Sequence, residues 1–171
     1  MGFLRNIITI DNNWRFNLGD VAGAENPCFD DSTWRKLDLP HDWQIEQPFD
    51  AETPSGSSQG YMPRWHVGWY RLKLHVPQEW DGKIVRILFE GIQRCASCWI
   101  NGHLLGTRPY GYASYFYDLT PYLNFGEENV IAVKVDNSEP VACRWYSGAG
   151  IYRHVSLIIT PKLHMIPWGV H

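Results

Sequence analysis

Apolar residues recur at every second position in segment after segment of this chain, and almost nowhere at the spacing of a helix. Tyr70, Leu72, Leu74 and Val76 fall on one side, with Arg71, Lys73 and His75 on the other. Val85, Ile87 and Phe89 alternate with Arg86, Leu88 and Glu90. Ile131, Val133 and Val135 do the same around Lys134, and Val155, Leu157 and Ile159 around His154 and Ser156. A period of two sends successive side chains to opposite faces. The pattern therefore predicts half-buried antiparallel strands, the kind that stack two sheets over one core. Trp14 to Leu18 and Arg35 to Leu39 read as two more strands. Helix is limited to a single capped turn at Asp31-Ser32-Thr33-Trp34.

The turn chemistry agrees. Asn101-Gly102 sits between two apolar runs and is a strong short-range hairpin signal, because both residues tolerate positive φ. Asp81-Gly82 separates the strand ending at Val76 from one starting at Lys83, and Asn124-Phe125-Gly126 precedes the strand from Glu128. The predicted fold class is all-β: an antiparallel β-sandwich of the jelly-roll kind, occupying residues 1–171 as a single domain.

Composition narrows the function classes. Fifteen basic residues against eighteen acidic ones give a net charge of −3, which argues against a nucleic-acid partner, since phosphate binding needs clustered Lys and Arg. No apolar run approaches the ~20 residues of a membrane-spanning helix, so no membrane partner is expected. The opening Met1-Gly2-Phe3-Leu4-Arg5-Asn6 breaks its apolar stretch too early for a signal peptide. A periplasmic or secreted location is expected if a signal was removed, and a cytoplasmic one otherwise. Cys95 and Cys98 form a C-x-x-C, but on a strand residues three apart face opposite ways and no second pair completes a zinc site. They read as packing residues. No H-E-x-x-H or H-x-H occurs, so neither a metal nor any other cofactor is expected.

Aromatic content is the unusual quantity: nine Trp, nine Tyr and seven Phe exceed what one core of this size needs. Rings with polar tips suit the C–H faces and hydroxyls of sugars as well as they suit packing. Two stretches break the strand rhythm, Pro40 to Val67 and Asn137 to Gly150, and both set polar side chains beside Trp and Tyr. Each reads equally as a sugar-facing loop or as a connection, the first an insertion and the second a Gly-rich corner.

An ordered series of motifs then resembles a known family. It runs Phe29-Asp30-Asp31-Ser32-Thr33-Trp34, Leu39-Pro40-His41-Asp42-Trp43, Gly68-Trp69-Tyr70-Arg71, Phe89-Glu90-Gly91-Ile92 and Trp99-Ile100-Asn101-Gly102. It continues through Tyr110-Gly111-Tyr112, Tyr117-Asp118-Leu119-Thr120 and the run from Glu128 to Ser138. It closes on Arg144-Trp145-Tyr146-Ser147-Gly148-Ala149-Gly150-Ile151-Tyr152-Arg153. Together these resemble the N-terminal sugar-binding domain of glycoside hydrolase family 2, with wording most like its bacterial β-galactosidases.

The resemblance implies a galactose-binding-domain-like jelly roll that precedes an immunoglobulin-like domain and a catalytic barrel. The family's enzymes are retaining, with an acid/base and a nucleophilic glutamate in the barrel. A barrel alone takes about 250 residues, and the Asn-Glu dipeptide of the acid/base is absent from this sequence. No catalytic residue is therefore assigned, and the chain is expected to be inactive alone. Residues 162–171 resemble the start of the linker to the second domain. The implied partners are a carbohydrate, with a terminal β-galactoside favoured, and the barrel of the same polypeptide. Asp42, Trp43, Arg144, Trp145 and Tyr146 are the expected substrate-binding residues, with Asp42 and Arg144 approaching each other at one end of the sandwich. The family often places an acidic residue near the position of Arg144. A guanidinium only donates, so it suits a hydroxyl lone pair or a carboxylate, and a β-glucuronidase domain stays open as an alternative. An independent carbohydrate-binding module is the other alternative. Asp30-Asp31 and Glu127-Glu128 read as solvated or capping carboxylates, and a His41-Asp42-Ser147 triad is disfavoured because no nucleophile elbow is present.

Overall fold

The computed structural model describes residues 5–53, 60, 62, 66–138, 145 and 147–169. Two antiparallel sheets face each other. The smaller holds β1 (Asn6–Thr9), β10 (Val155–Thr160), β5 (Ile84–Phe89) and β8 (Tyr115–Asp118), in that order across the sheet. The larger runs β3 (Arg35–Leu37), β2 (Trp14–Leu18), β4 (Val67–His75), β9 (Glu128–Asp136), β6 (Ala96–Ile100) and β7 (His103–Arg108). Helical structure among the described residues is limited to two 3₁₀ turns, Gln78–Trp80 and Thr120–Tyr122, and no helix is long and apolar enough to cross a membrane. The all-β jelly-roll sandwich is the observed fold.

The period-two residues do what the pattern requires. Val85, Ile87 and Phe89 of β5 meet Tyr70 of β4, Val133 of β9 and Leu157 of β10 in one core, all of them fully buried. Each such side chain contributes about 1.5–3 kcal/mol by leaving water. The Asn101-Gly102 turn joins β6 to β7 with Ile100 opposite His103 and both turn residues at positive φ, 49° and 81°. This is the two-residue geometry that matches strand twist. The strand containing Cys98 starts one residue after Cys95, which itself has φ 47°. Cys98 is fully buried, and burial pushes its thiol up to about 12.

Two expectations are corrected. The strands are not all half-buried: five consecutive residues of β9, Asn129 to Val133, and all six of β10 are buried. For β9 the cause is a covering segment. Residues 19–34 lie over the outer face of the larger sheet, where Ala24 and Trp34 pack with Trp69 of β4 and Ala132 of β9. The second correction concerns Asp31. Asp30 does cap, accepting from the Ser32 N–H at 2.9 Å, but Asp31 is buried and ion-paired at 2.8 Å with Arg71, whose own exposure is 0%. The Arg71 guanidinium also donates to the backbone oxygens of Ala24 and Asn26 and lies over the Phe29 ring. One buried cation thus fastens the covering segment. Removing either member of such a pair costs about 3–5 kcal/mol.

Strand register sorts the connections to two ends. The starts of β4, β6, β8 and β10 lie at the same end as the finishes of β5, β7 and β9. Among the described residues, that end gathers 90–95, 109–114, 137–138, 147–154 and His66 just before β4. The opposite end carries the Asn101-Gly102 turn and both 3₁₀ turns.

Candidate functional site

The long connection from β3 to β4 is tied down by every second backbone donor at its start. Leu39 N–H bonds Asp11 O at 2.8 Å, His41 N–H bonds Ile151 O at 2.8 Å, and Trp43 N–H bonds Ala149 O at 3.1 Å. Asp42 lies between the last two. Its Oδ1 accepts from Gln44 N–H and from Ala149 N–H, both at 2.9 Å. The first bond is the local turn that aspartate favours, and the second clamps segments more than a hundred residues apart. The two loops expected to meet do meet.

Glycine makes the approach possible. A Cβ on Gly150, whose φ is 120°, would strike the Tyr70 hydroxyl and come within 2.7 Å of His41 O. A Cβ on Gly148, at φ 77°, would come within 3.0 Å of the Asp42 carboxylate. On the other side, Gly68 sits so close to the Trp43 ring that a Cβ would lie 2.6 Å from it.

The site residues named from the sequence separate. Asp42 is half-buried and clamped as described. Trp43 is only 2% exposed, stacked on Phe16 with ring centroids 5.7 Å apart and tilted against Tyr70. In this structure its faces belong to the core, and it holds the loop down. Trp145 is 59% exposed, with its ring edge against Gly60. Arg144 and Tyr146 lie outside the described residues.

A buried polar relay under the loop was not anticipated. His41 Nδ1 is 2.7 Å from the hydroxyl of Tyr70, and both side chains are buried. His41 Nε2 faces Glu46 Oε1 at 3.3 Å, and Glu46 holds Arg35 through two bonds of 2.6 and 2.7 Å. Burial lowers the His41 pKa, against the pull of the Glu46 carboxylate. Burial also raises Tyr70 well above the usual phenol range. A neutral phenol beside a neutral imidazole donates to Nδ1, which leaves the imidazole proton on Nε2, facing Glu46. Asp42 Oδ1 is occupied by two N–H donors and His41 Nδ1 by Tyr70, so His41 and Asp42 do not form the relay of a hydrolytic triad. The P-H-D-W motif located the loop. Nothing local in it marks Tyr70, twenty-nine residues on, as the partner.

The corner continues into a third segment. Gln93 and Gly150 exchange both backbone hydrogen bonds, at 2.9 and 2.7 Å. Gly111 packs directly on the Gln93 side chain, and its carbonyl accepts from the Tyr152 hydroxyl at 2.9 Å. Tyr110 and Tyr112 stand exposed on either side of it. The end therefore presents acceptors, tyrosine hydroxyls and an exposed indole on a mount whose backbone is fixed by glycines. Among the described residues, no group of His, Cys, Asp and Glu is placed to hold a metal ion.

Such a jelly roll, with its long loops gathered and fastened at one end, defines a β-sandwich domain that offers one end to a ligand. The chain belongs to the family described as glycosyl hydrolases family 2, sugar binding domain, whose sequence profile matches residues 7–161. It is 52% identical over 158 residues to the beta-galactosidase BoGH2A of Bacteroides ovatus, covering 92% of this chain and 18% of that one. It is 34% identical over 165 residues to a beta-glucuronidase of Formosa agariphila, covering 89% of this chain and 17% of that one. Among solved structures, a beta-glycosidase from Bacteroides vulgatus superposes with a TM-score of 0.84 at 46% identity, over 90% of this chain and 20% of that one. The chain thus spans less than a fifth of the length of these two curated relatives.

Proposed function

We propose that this chain is the non-catalytic first domain of a retaining β-glycosidase, most simply a β-galactosidase. In this reading it shapes the site for a terminal sugar and docks on a catalytic barrel of the same polypeptide, with residues 162–171 beginning the linker to an intervening domain. The supporting observation is the Asp42 clamp, which brings the P-H-D-W loop and the S-G-A-G corner to one end of the sandwich. Asp42 then supplies a fixed acceptor for a sugar hydroxyl and Arg144 a donor. Trp145 and Tyr146 supply faces for the ring, and Trp43 keeps the loop in place from below. The bond-breaking glutamates belong to the barrel.

Three measurements test this. The purified chain is expected to release no nitrophenol from a nitrophenyl β-galactoside. It is expected to bind methyl β-galactoside at millimolar strength or weaker, about −4 kcal/mol, because part of the pocket is contributed from elsewhere. In an enzyme carrying this domain, Arg144→Ala is expected to lower kcat/KM by about 1–3 kcal/mol. Turnover that survives purification and disappears on a point mutation within this chain overturns the reading. A β-glucuronidase domain is the second reading, favoured by the Formosa agariphila relative. A glucuronide that displaces galactoside from the Asp42 corner decides for it.

A further inference from the structure

A groove of about 550 Å³ opens beside β8, on the flank of the loop end and away from the Asp42 clamp. Its walls are aromatic: Tyr110 is 65% exposed, Trp168 is 58% exposed, and the Trp168 ring leans on Phe116 with centroids 5.4 Å apart. The segment bearing Trp168 is pinned to the smaller sheet, since His164 Nε2 meets the Arg86 guanidinium at 2.7 Å and Met165 O accepts from Arg5 at 2.7 Å. The volume falls in the range of small-ligand sites, and amphipathic ring faces suit the C–H face of a pyranose.

One charged side chain lines this groove, and it is Arg108. Its guanidinium lies over the rings of Tyr115 and Tyr117, 5.7 and 5.9 Å from their centroids. Among the described residues no carboxylate pairs with it, although the chain as a whole carries net negative charge. Glu90, which neighbours the groove through Ser114, accepts from the Ser114 hydroxyl with its backbone oxygen at 2.9 Å and directs its carboxylate to Arg153 at 3.8 Å. Ser114 therefore donates inward to the protein and keeps its lone pairs for a ligand hydroxyl. A cation without a carboxylate partner, at the edge of an aromatic groove, selects for an anionic ring. The planar fork of a guanidinium matches a carboxylate in two parallel bonds.

We propose that this groove is a carbohydrate site separate from the Asp42 corner, and that its ligand is a hexuronate: the pyranose on Trp168 and Tyr110, the carboxylate on Arg108, a ring hydroxyl on Ser114. Of the groove's walls only Tyr110 belongs to the segment that borders the Asp42 corner; Arg108, Ser114 and Trp168, which carry the selectivity, lie outside it, so the site does not depend on which sugar that corner takes. Its function is to retain acidic oligosaccharides near the enzyme.

The test compares methyl β-D-glucuronide with methyl β-D-glucoside, which differ only at C6, by NMR titration of the 171-residue chain at low salt. The glucuronide is expected to bind about tenfold more tightly, as a charge-assisted pair implies. The shifts are expected at Ser114, Phe116 and the Trp168 indole, with none at Ala149 or Gln44. Arg108→Gln, at an exposed position, is expected to reduce the glucuronide to the affinity of the glucoside. Arg108→Lys keeps the charge without the fork and is expected to recover only part of the difference. Trp168→Ala is expected to weaken both ligands alike. Equal binding of the two glycosides overturns the proposal, as do shifts confined to the Asp42 corner or no shifts with either ligand at tens of millimolar. A result at the Asp42 corner bears on the proposed function, and a result at Ser114 and Trp168 bears on this groove, so the two can fail independently.

Discussion

The two ends of the sandwich satisfy their buried polar groups differently. At the turn end, Asn129 is fully buried, and every capacity of its side chain is used. Its carbonyl accepts from Asn101 Nδ2 at 2.7 Å and Asn124 N–H at 2.8 Å, while its amide donates to Asn124 O and Glu127 O at 2.9 and 3.1 Å. Asn101 completes the circuit by accepting from Val130 N–H. At the loop end, Gln44 is 1% exposed and neither atom of its amide has a partner, and the Gln93 carbonyl oxygen is also unpartnered. At the turn end the Asn129 circuit closes on itself, and the Thr160 hydroxyl at the finish of β10 is the buried group left without a partner there among the described residues. The loop end combines tight backbone ties with buried amide groups that its own side chains leave unpaired, which costs stability there.

Glycine substitutions give the largest separation between the ends. Gly150→Ala places a methyl against the Tyr70 hydroxyl, His41 O and the Trp43 ring, at a φ that L-residues avoid. None of these neighbours can yield, since Tyr70 and Trp43 are core residues. The expected loss is about 3 kcal/mol or more. Gly102→Ala, in the two-residue turn at the other end, meets Pro27 Cδ at 3.3 Å and Glu25 O at an ordinary 3.9 Å, and bears mainly the left-handed backbone cost of about 1–2 kcal/mol. Urea unfolding of both variants checks the order, and equal losses would break the distinction.

Next come the buried amides, where the expected effects differ in sign. Asn129→Ala leaves several backbone groups of the 124–130 segment without partners and is expected to cost about 2–3 kcal/mol. Gln44→Leu removes an amide that has no partner and is expected to be neutral or stabilising for the isolated chain. If Gln44→Leu lowers the Tm as much as Asn129→Ala, the loop end is as self-contained as the turn end.

What could be read from the sequence follows the same division. Strands β2, β4, β5, β9 and β10 announce themselves by period two, and the Asn101-Gly102 hairpin by its turn residues, because these are local signals. β1 and β8 do not. Asn6–Thr9 is a short, mostly exposed edge strand, and Tyr115–Asp118 has aromatic residues on both faces, which hides any alternation. Arg71 reads as a residue of a solvated face, since its burial depends on a segment forty residues upstream. The Asp42 clamp was legible in outline because P-H-D-W and the Gly-rich corner are both distinctive. The burial of Trp43 was not, because it depends on Gly68 and Gly150 leaving room on either side of the ring. The groove at Arg108 gave no sequence signal, since its walls come from β7, β8 and a segment some fifty residues further on.

The smallest expected effects are electrostatic, and the loop end carries two histidines with opposite dependence on pH. Burial lowers the His41 pKa below its ordinary 6.5, so the folded state binds its proton less readily than the unfolded chain. Its stability contribution is complete above pH 6.5 and is lost as pH falls from there through the lowered folded value. The groups that set this balance are Glu46 and Asp42 on its own loop, Arg35 on β3 and Tyr70 on β4. His154 behaves in the reverse sense. Its Nδ1 lies 2.6 Å from the Asp11 carboxylate, which raises its pKa. Its contribution is therefore complete below pH 6.5 and is lost as pH rises through the raised folded value. Denaturant midpoints between pH 5 and pH 8 are expected to lose their acid-side decline in His41→Gln and their neutral-side decline in His154→Gln. The second effect is the smaller, because the His154 ring is largely in water and its pairing is screened by salt. Adding 0.5 M sodium chloride is expected to erase the His154 effect while leaving that of His41, whose ring is shielded by Phe16 and Tyr70. Equal salt sensitivity of both would mean that His41 titrates in contact with solvent, and that the loop end is looser than its hydrogen bonds indicate.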